Sequence, residues 1–325
     1  MWFTISFRFE CYYSEVLQVK LSEGSVVMAV KDRNIFDKEK IIAFGQKYDI
    51  FPDDVKEEVL KALEEIKKDE FYSSLCEKLL DYMKKGAPIG SLAPDFKEGR
   101  KAEFALFFPV WYMAEESVKD LEKRGVSLDI IHKSFKSICG CIAANKNLKG
   151  RMGTSAYFSW LPLHARGELF RIGDFQYEKK VDNGKLTIEI HIPSGTKLDV
   201  RQNLLSFKEA LDFFEKYYPE LEFSQFLCKS WLLSKEIEEV MGKKTNISRF
   251  GDMFERFSIN DTTGDSVYRF VYKMVPPYPP VDELPEDTTL QKKLKEYIKS
   301  GKMMYAYGGL ISKERLYDML KNEEI

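Results

Sequence analysis

After a turn at Asp182-Asn183-Gly184, the residues Leu186, Ile188, Ile190 and Ile192 alternate with Thr187, Glu189 and His191. A period of two predicts a strand with one apolar face, which puts Glu189 and His191 together on the polar face. Either is a candidate general base, and His191 is the better one because imidazole titrates near neutral pH. The plainer alternative is that both are satisfied structural groups. The strand ends at Pro193-Ser194-Gly195-Thr196-Lys197-Leu198-Asp199. There Gly195 lets backbone approach an anion, Ser194, Thr196 and Lys197 add donors, and a helix N-terminus follows. Asp199 at the helix cap works against an anion at the same amides.

Cys228 lies in the next predicted strand. With His191 it would make a thiolate nucleophile, or it is core packing. Trp231 is a packing residue or a substrate platform. Arg166, Glu168 and Arg171 are an ion-pair network, or Arg166 or Arg171 grips a substrate carboxylate. Cys139-Gly140-Cys141 lacks the further ligands of a zinc site, so no metal is expected, and there is no Walker loop, GxGxxG or HExxH.

The elements that must position these residues change character along the chain. From Asp37 to about Asn145 the apolar residues recur at helical spacing, with Asp37, Pro52 and Ser127 at helix starts, Gly125 at an end, and a loop from Gly86 to Pro94. Pro109, inside a cluster of Phe104, Phe107, Phe108 and Trp111, kinks or restarts a helix. The segment 153–180 predicts a short strand or two between the halves. Beyond it the pattern predicts a helix opening at Asp199, a strand from Phe223 to Leu233 and a helix from Ser234 to Met241. A strand pair follows, Ile247 to Ile259 with Ser266 to Tyr272, then a helix from Thr288 to Ser300, a strand from Met303 to Tyr307 and a last helix from Lys313. The expected class is α+β. An arm over residues 1–30 precedes an all-helical domain over 31–152, and a mixed-sheet α/β domain over 181–325 follows the junction.

With 44% hydrophobic residues in 325 positions, the chain can bury a core without disulfides or metals. Its 50 basic and 52 acidic residues nearly cancel without long like-charged blocks, which argues against nucleic acid as a partner. Five cysteines without a CxxC pair suit a reducing cytoplasm. Arg8 and Glu10 interrupt the apolar start, and no later run is long enough for a membrane span.

Three stretches resemble a bacterial family of acyltransferases that joins a helical N-acyltransferase N-terminal domain to a GNAT-like C-terminal domain. They are Trp160 to Gly173 with Phe175-Gln176-Tyr177-Glu178; Ile190-His191-Ile192-Pro193 with Cys228-Lys229-Ser230-Trp231-Leu232-Leu233; and Thr288-Thr289-Leu290-Gln291 with Gly308-Gly309-Leu310. The likeness runs from about Lys31 to Leu310. It implies a GNAT-like fold and transfer of an acyl group from acetyl-CoA or a longer acyl-CoA to a small amine. The turn at Ser194, Gly195, Thr196 and Lys197 would then hold the coenzyme pyrophosphate, although the usual glycine-rich pattern is missing there. A non-catalytic ligand-binding or regulatory protein on the same scaffold is the alternative.

Overall fold

Three helix starts in the first half are set by side-chain caps. Asp37, Asp69 and Ser127 accept the amides of Lys40, Tyr72 and Ile130, satisfying donors that a helix cannot satisfy itself. In the computed structural model the helices of this half are α1 (Lys38–Lys47), α2 (Asp53–Lys67), α3 (Glu70–Lys84), α4 (Arg100–Phe104), α5 (Phe107–Lys123) and α6 (Leu128–Lys149), and the three caps open α1, α3 and α6. Pro109 falls in the first turn of α5, where a missing amide proton costs nothing. The structure describes residues 34–86, 99–261 and 263–323. The expected arm over 1–30 and the expected loop beyond Gly86 fall outside them.

A buried polar knot holds the end of this half. Glu103, 4% exposed, accepts from Arg151 Nε at 2.9 Å, Asn145 Nδ2 at 3.2 Å and Ser155 Oγ at 2.5 Å, and its carbonyl accepts from the Thr154 amide at 2.7 Å. A carboxylate can be buried when its lone pairs are met this fully. The knot fixes the 3₁₀ turn Ser155–Tyr157, and the chain then enters α7 (Leu161–Ala165). Ser117 on α5 donates to the Ala165 carbonyl at 2.6 Å. Gly167, at φ +61°, lets the two segments touch, since a Cβ there would lie 3.3 Å from Ser117 Cβ.

The junction segment supplies the first strands of the sheet, β1 (Leu169–Ile172) and β2 (Phe175–Asp182), and β3 (Lys185–His191) follows. Two-residue turns join them, Gly173-Asp174 and Asn183-Gly184. Gly173, Asn183 and Gly184 take positive φ, as tight hairpins demand. The crossover helix α8 (Val200–Tyr217) leads to β4 (Glu222–Ser230), and the chain continues through α9 (Ile237–Met241), α10 (Asn246–Asp252), β5 (Glu255–Ser258), α11 (Asp265–Phe270), α12 (Thr289–Lys299), β6 (Tyr307–Ser312) and α13 (Lys313–Asn322). The strand order is β1-β2-β3-β4-β6-β5, with β3 parallel to β4 and the other pairs antiparallel. One face carries an aromatic core in which Phe207 of α8 lies 5.4 Å from Phe175 and 5.7 Å from Phe226 between ring centroids. On the other face α6 meets β1, where Ser134 Oγ accepts the Arg171 amide at 2.9 Å. Among the described residues no helix is long and apolar enough to cross a membrane.

Two expectations about the second half are corrected. Residues 247–259 and 266–272 are not a strand pair: α10 and α11 are helical, and only Glu255–Ser258 is extended. The apolar residues Ile247, Phe250, Met253 and Phe254 recur at helical spacing, and Thr245 caps the run by accepting the Ser248 amide. The strand expected from Met303 to Tyr307 begins instead at Tyr307. Gly308 and Gly309 are inside it because the sheet is crowded there: a Cβ on Gly309 would meet Phe254 Cβ at 2.7 Å and Leu233 Cδ1 at 2.8 Å.

Candidate active site

Strands β3 and β4 pair only as far as Ile190 and Cys228. Beyond that point β3 stays with β2 through Gln176 and His191, while β4 stays with β6 through Gly308 and Tyr307. The sheet therefore opens at the carboxyl ends of its two parallel strands, the position where open α/β sheets take ligands.

His191 stands at this opening. Its Nε2 is 2.9 Å from Glu178 Oε2, and its ring meets that of Trp160 edge to face, with centroids 4.5 Å apart. Glu178 lies directly opposite Glu189 across β2 and β3, and both are 5% exposed. Two facing carboxylates repel, and the Lys180 ammonium relieves this by pairing with both. Burial pushes the Glu178 carboxyl up, but the His191 hydrogen bond and the Lys180 charge outweigh it and hold its pKa below the usual carboxylate value. An ionised carboxylate only accepts, so the hydrogen between the two residues is on His191 Nε2, and the lone pair is on Nδ1. This is an imidazole oriented by a carboxylate, with no hydrogen-bond partner for Nδ1 among the described residues.

Behind the pair lies His164 of α7, 1% exposed, with its ring centroid 6.5 Å from that of Trp160; among the described residues neither ring nitrogen makes a well-formed hydrogen bond, the Ser134 backbone giving only a weak contact. Burial, and then the nearby His191, lower its pKa from 6.5 to about 3. A depressed folded-state pKa means the unfolded chain takes up the proton first. The contribution of His164 to stability is complete above pH 6.5 and is lost as pH falls from there toward 3. We expect about 2 kcal/mol to be lost between pH 6.5 and 5, read from urea midpoints, and His164→Leu to flatten that slope. An unchanged slope in the variant would rule out this assignment.

The turn after β3 has an exposed Ser194-Gly195 tip, with Gly195 at φ +87°. Thr196 Oγ1 is spent on the Pro193 carbonyl at 2.8 Å, and Asp199 Oδ1 accepts the Gln202 amide at 3.1 Å. Ser194, Gly195 and Lys197 thus keep exposed groups for an anion. Lys273, which the sequence reading did not single out, joins them with its Nζ 3.4 Å from Ser194 Oγ. The same stretch reaches the helical half through Arg269 Nη2, which donates to the Ala156 carbonyl at 3.0 Å.

The other expected site residues divide. Glu189 shares the polar face with His191, but Lys180 holds its carboxylate. Cys228 pairs with Ile190 and so lies on the opposite face from His191. It is fully buried, and burial pushes its thiol pKa well up. The expected Cys228–His191 thiolate pair is therefore not brought together. Trp231 lies in the 3₁₀ turn after β4 and is 7% exposed, packed against the core. Arg166 is held by Glu168, its Nη2 2.7 Å from Oε2, whereas Arg171 has no ion-pair partner among the described residues and lines a groove of about 430 Å³ with Gln176 and Pro193. Among the described residues no cluster of His, Cys, Asp or Glu is arranged to hold a metal ion.

Sequence and structure comparisons bear on this arrangement. Residues 48–167 match the N-acyltransferase N-terminal domain and residues 167–311 the GNAT-like C-terminal domain. No curated protein is detectably similar in sequence. Among solved structures, an acyltransferase in complex with decanoyl-CoA has a TM-score of 0.71 at 20% identity over 84% of this chain and 88% of that one. An acyltransferase mutant in complex with octanoyl-CoA, and an acyltransferase in complex with decanoyl-CoA and teicoplanin, each reach 0.69 at 18% identity over the same shares. At these identities the likeness is one of fold, and it spans both halves. The chain belongs to the family of acyltransferases that joins an N-acyltransferase N-terminal domain to a GNAT-like C-terminal domain.

Proposed function

We propose that this protein transfers an acyl group from acyl-CoA to an amine, with His191 as the general base. One observation carries the reading: a carboxylate-oriented imidazole, closed in by Trp160, stands where β3 and β4 part. The amine nitrogen bonds to the thioester carbonyl carbon and its proton passes to His191 Nδ1. The carbon–sulfur bond then breaks, and the leaving sulfur takes up a proton, giving an amide and free CoA. Glu178 stabilises the imidazolium that forms in between. Main-chain amides at the open strand ends are the available donors for the thioester oxygen, and Ser194, Gly195, Lys197 and Lys273 are placed to receive the phosphates. The structural neighbours bound to decanoyl-CoA and octanoyl-CoA support a medium-chain donor.

Octanoyl-CoA at a hundredfold excess over its dissociation constant should stabilise the protein by about 2.7 kcal/mol in a thermal-shift experiment. Lys273→Ala should weaken that binding about three- to tenfold at low salt and less at high salt, as expected of an exposed cation on a phosphate. Asp199 occupying the helix cap favours the rival, a non-catalytic binding protein. No shift with octanoyl-, decanoyl- or acetyl-CoA would decide for the rival.

A further inference from the structure

The two hairpin turns set a register that carries information beyond the base. Ile172 faces Phe175 and Asp182 faces Lys185, so Arg171, Gln176 and His191 stand side by side on three successive strands. All three therefore share one face of the sheet. Strands are about 4.8 Å apart, which places the Cα atoms of Arg171 and His191 about 10 Å from each other with Gln176 between. A long arginine side chain spans much of that distance.

A groove at the Arg171 and Gln176 end of this row is lined by Lys133, Lys136, Ser137, Arg171, Gln176 and Pro193 among others, and Pro193 lies two residues beyond His191. Its two lysines are already paired, Lys133 with Asp129 at 2.7 Å and Lys136 with Asp49 at 2.6 Å. Gln176 Nε2 donates to Ser137 Oγ at 3.0 Å, which fixes the amide between arginine and histidine. Arg171 is different. Among the described residues its guanidinium has no hydrogen-bond or ion-pair partner, and its main-chain amide donates to Ser134 Oγ. Partial burial lowers its pKa, and the carboxylate that acts on it, Asp174, does so from a distance rather than through a hydrogen bond. A half-buried guanidinium without an ionic partner is costly unless something anionic completes it.

We infer that Arg171 recognises a carboxylate on the acceptor, so that the substrates are amines bearing a carboxylate a few bonds from the nitrogen. The guanidinium takes the carboxylate in a two-point contact, and the amine then lies over Gln176 toward His191. This rests on the reading of His191 as the base for acyl transfer, but the binding it implies is measurable without turnover. Arg166, locked to Glu168, has no such role.

Calorimetry with product-like probes tests the inference: N-octanoylglycine and N-octanoyl-4-aminobutyrate, each against its methyl ester. At least one acid should bind the wild-type protein about ten- to a hundredfold more tightly than its ester, the range of a charge-assisted pair. Arg171→Gln should erase that preference and Arg171→Lys should retain part of it, while the octanoyl-CoA thermal shift stays unchanged in both. Equal binding of acid and ester by the wild type would overturn the inference, as would a preference that survives in Arg171→Gln. An acid preference dependent on Arg171 in a protein that ignores octanoyl-CoA would uphold the carboxylate site and remove the acyl-transfer reading instead.

Discussion

His191→Ala should lower turnover by about a hundred- to ten-thousandfold, the range of a lost general base, while octanoyl-CoA still raises the melting temperature. The imidazole bonds to one buried carboxylate and leans on one ring. It holds up no helix cap and no strand pair, because its main chain pairs in β2–β3 whatever side chain it carries. The loss should therefore fall on kcat rather than on CoA affinity. An Ala variant with wild-type turnover would remove His191 from the chemistry, and a variant that loses the octanoyl-CoA shift as well would mean that the residue builds the coenzyme site.

Much of the site's frame was legible. The alternation in residues 186–192 gave the polar face that joins Glu189 to His191, and the Asn183-Gly184 turn fixes the hairpin register by itself. Once two residues form the turn, Gln176 must face His191 and Glu178 must face Glu189, and the contact from His191 to Glu178 is the diagonal of that ladder. The Gly173-Asp174 turn likewise fixes Arg171 beside Gln176. Both pairings are legible in the turns alone, although Glu178 itself carries no mark in the sequence beyond its place in a family stretch. Trp160, His164 and Lys273 are a different matter. They reach the site through the polar knot at Glu103, the packing of α7 on α5, and the path of the chain after α11, all of which join residues far apart in sequence. Trp160 and His164 fall in a stretch that carries the family resemblance, but nothing local assigns them a place at the site, and nothing local marks Lys273.

The same distinction explains the misread elements. Residues 247–254 hold apolar groups at helical spacing that a strand reading ignored, so that error was avoidable. The start of β6 was not, because Asp261 sets it from a distance. One Asp261 oxygen accepts the amides of Thr263 and Gly264, each at 3.2 Å, and the other accepts that of Ala306 at 2.6 Å. This last contact uses the Ala306 amide just before the strand begins.

The sharpest test of the proton arrangement is Glu178→Gln, which should cost about a hundred- to ten-thousandfold in turnover with little change in melting temperature. Glu178 serves two donors at once, Lys180 through Oε1 at 3.5 Å and His191 through Oε2 at 2.9 Å. Glutamine has a single oxygen, and an ammonium can only donate. That oxygen turns to Lys180, so the amide NH₂ faces His191 Nε2 and the ring hydrogen is forced onto Nδ1, where the lone pair is needed. The same wrong-tautomer effect accounts for about ten-thousandfold when the aspartate of a serine-protease triad becomes asparagine. Stability changes little because Lys180 keeps Glu189 and the repulsion between two facing carboxylates disappears. If Glu178→Gln turns over within about threefold of wild type, the catalytic state of His191 is not set by this residue.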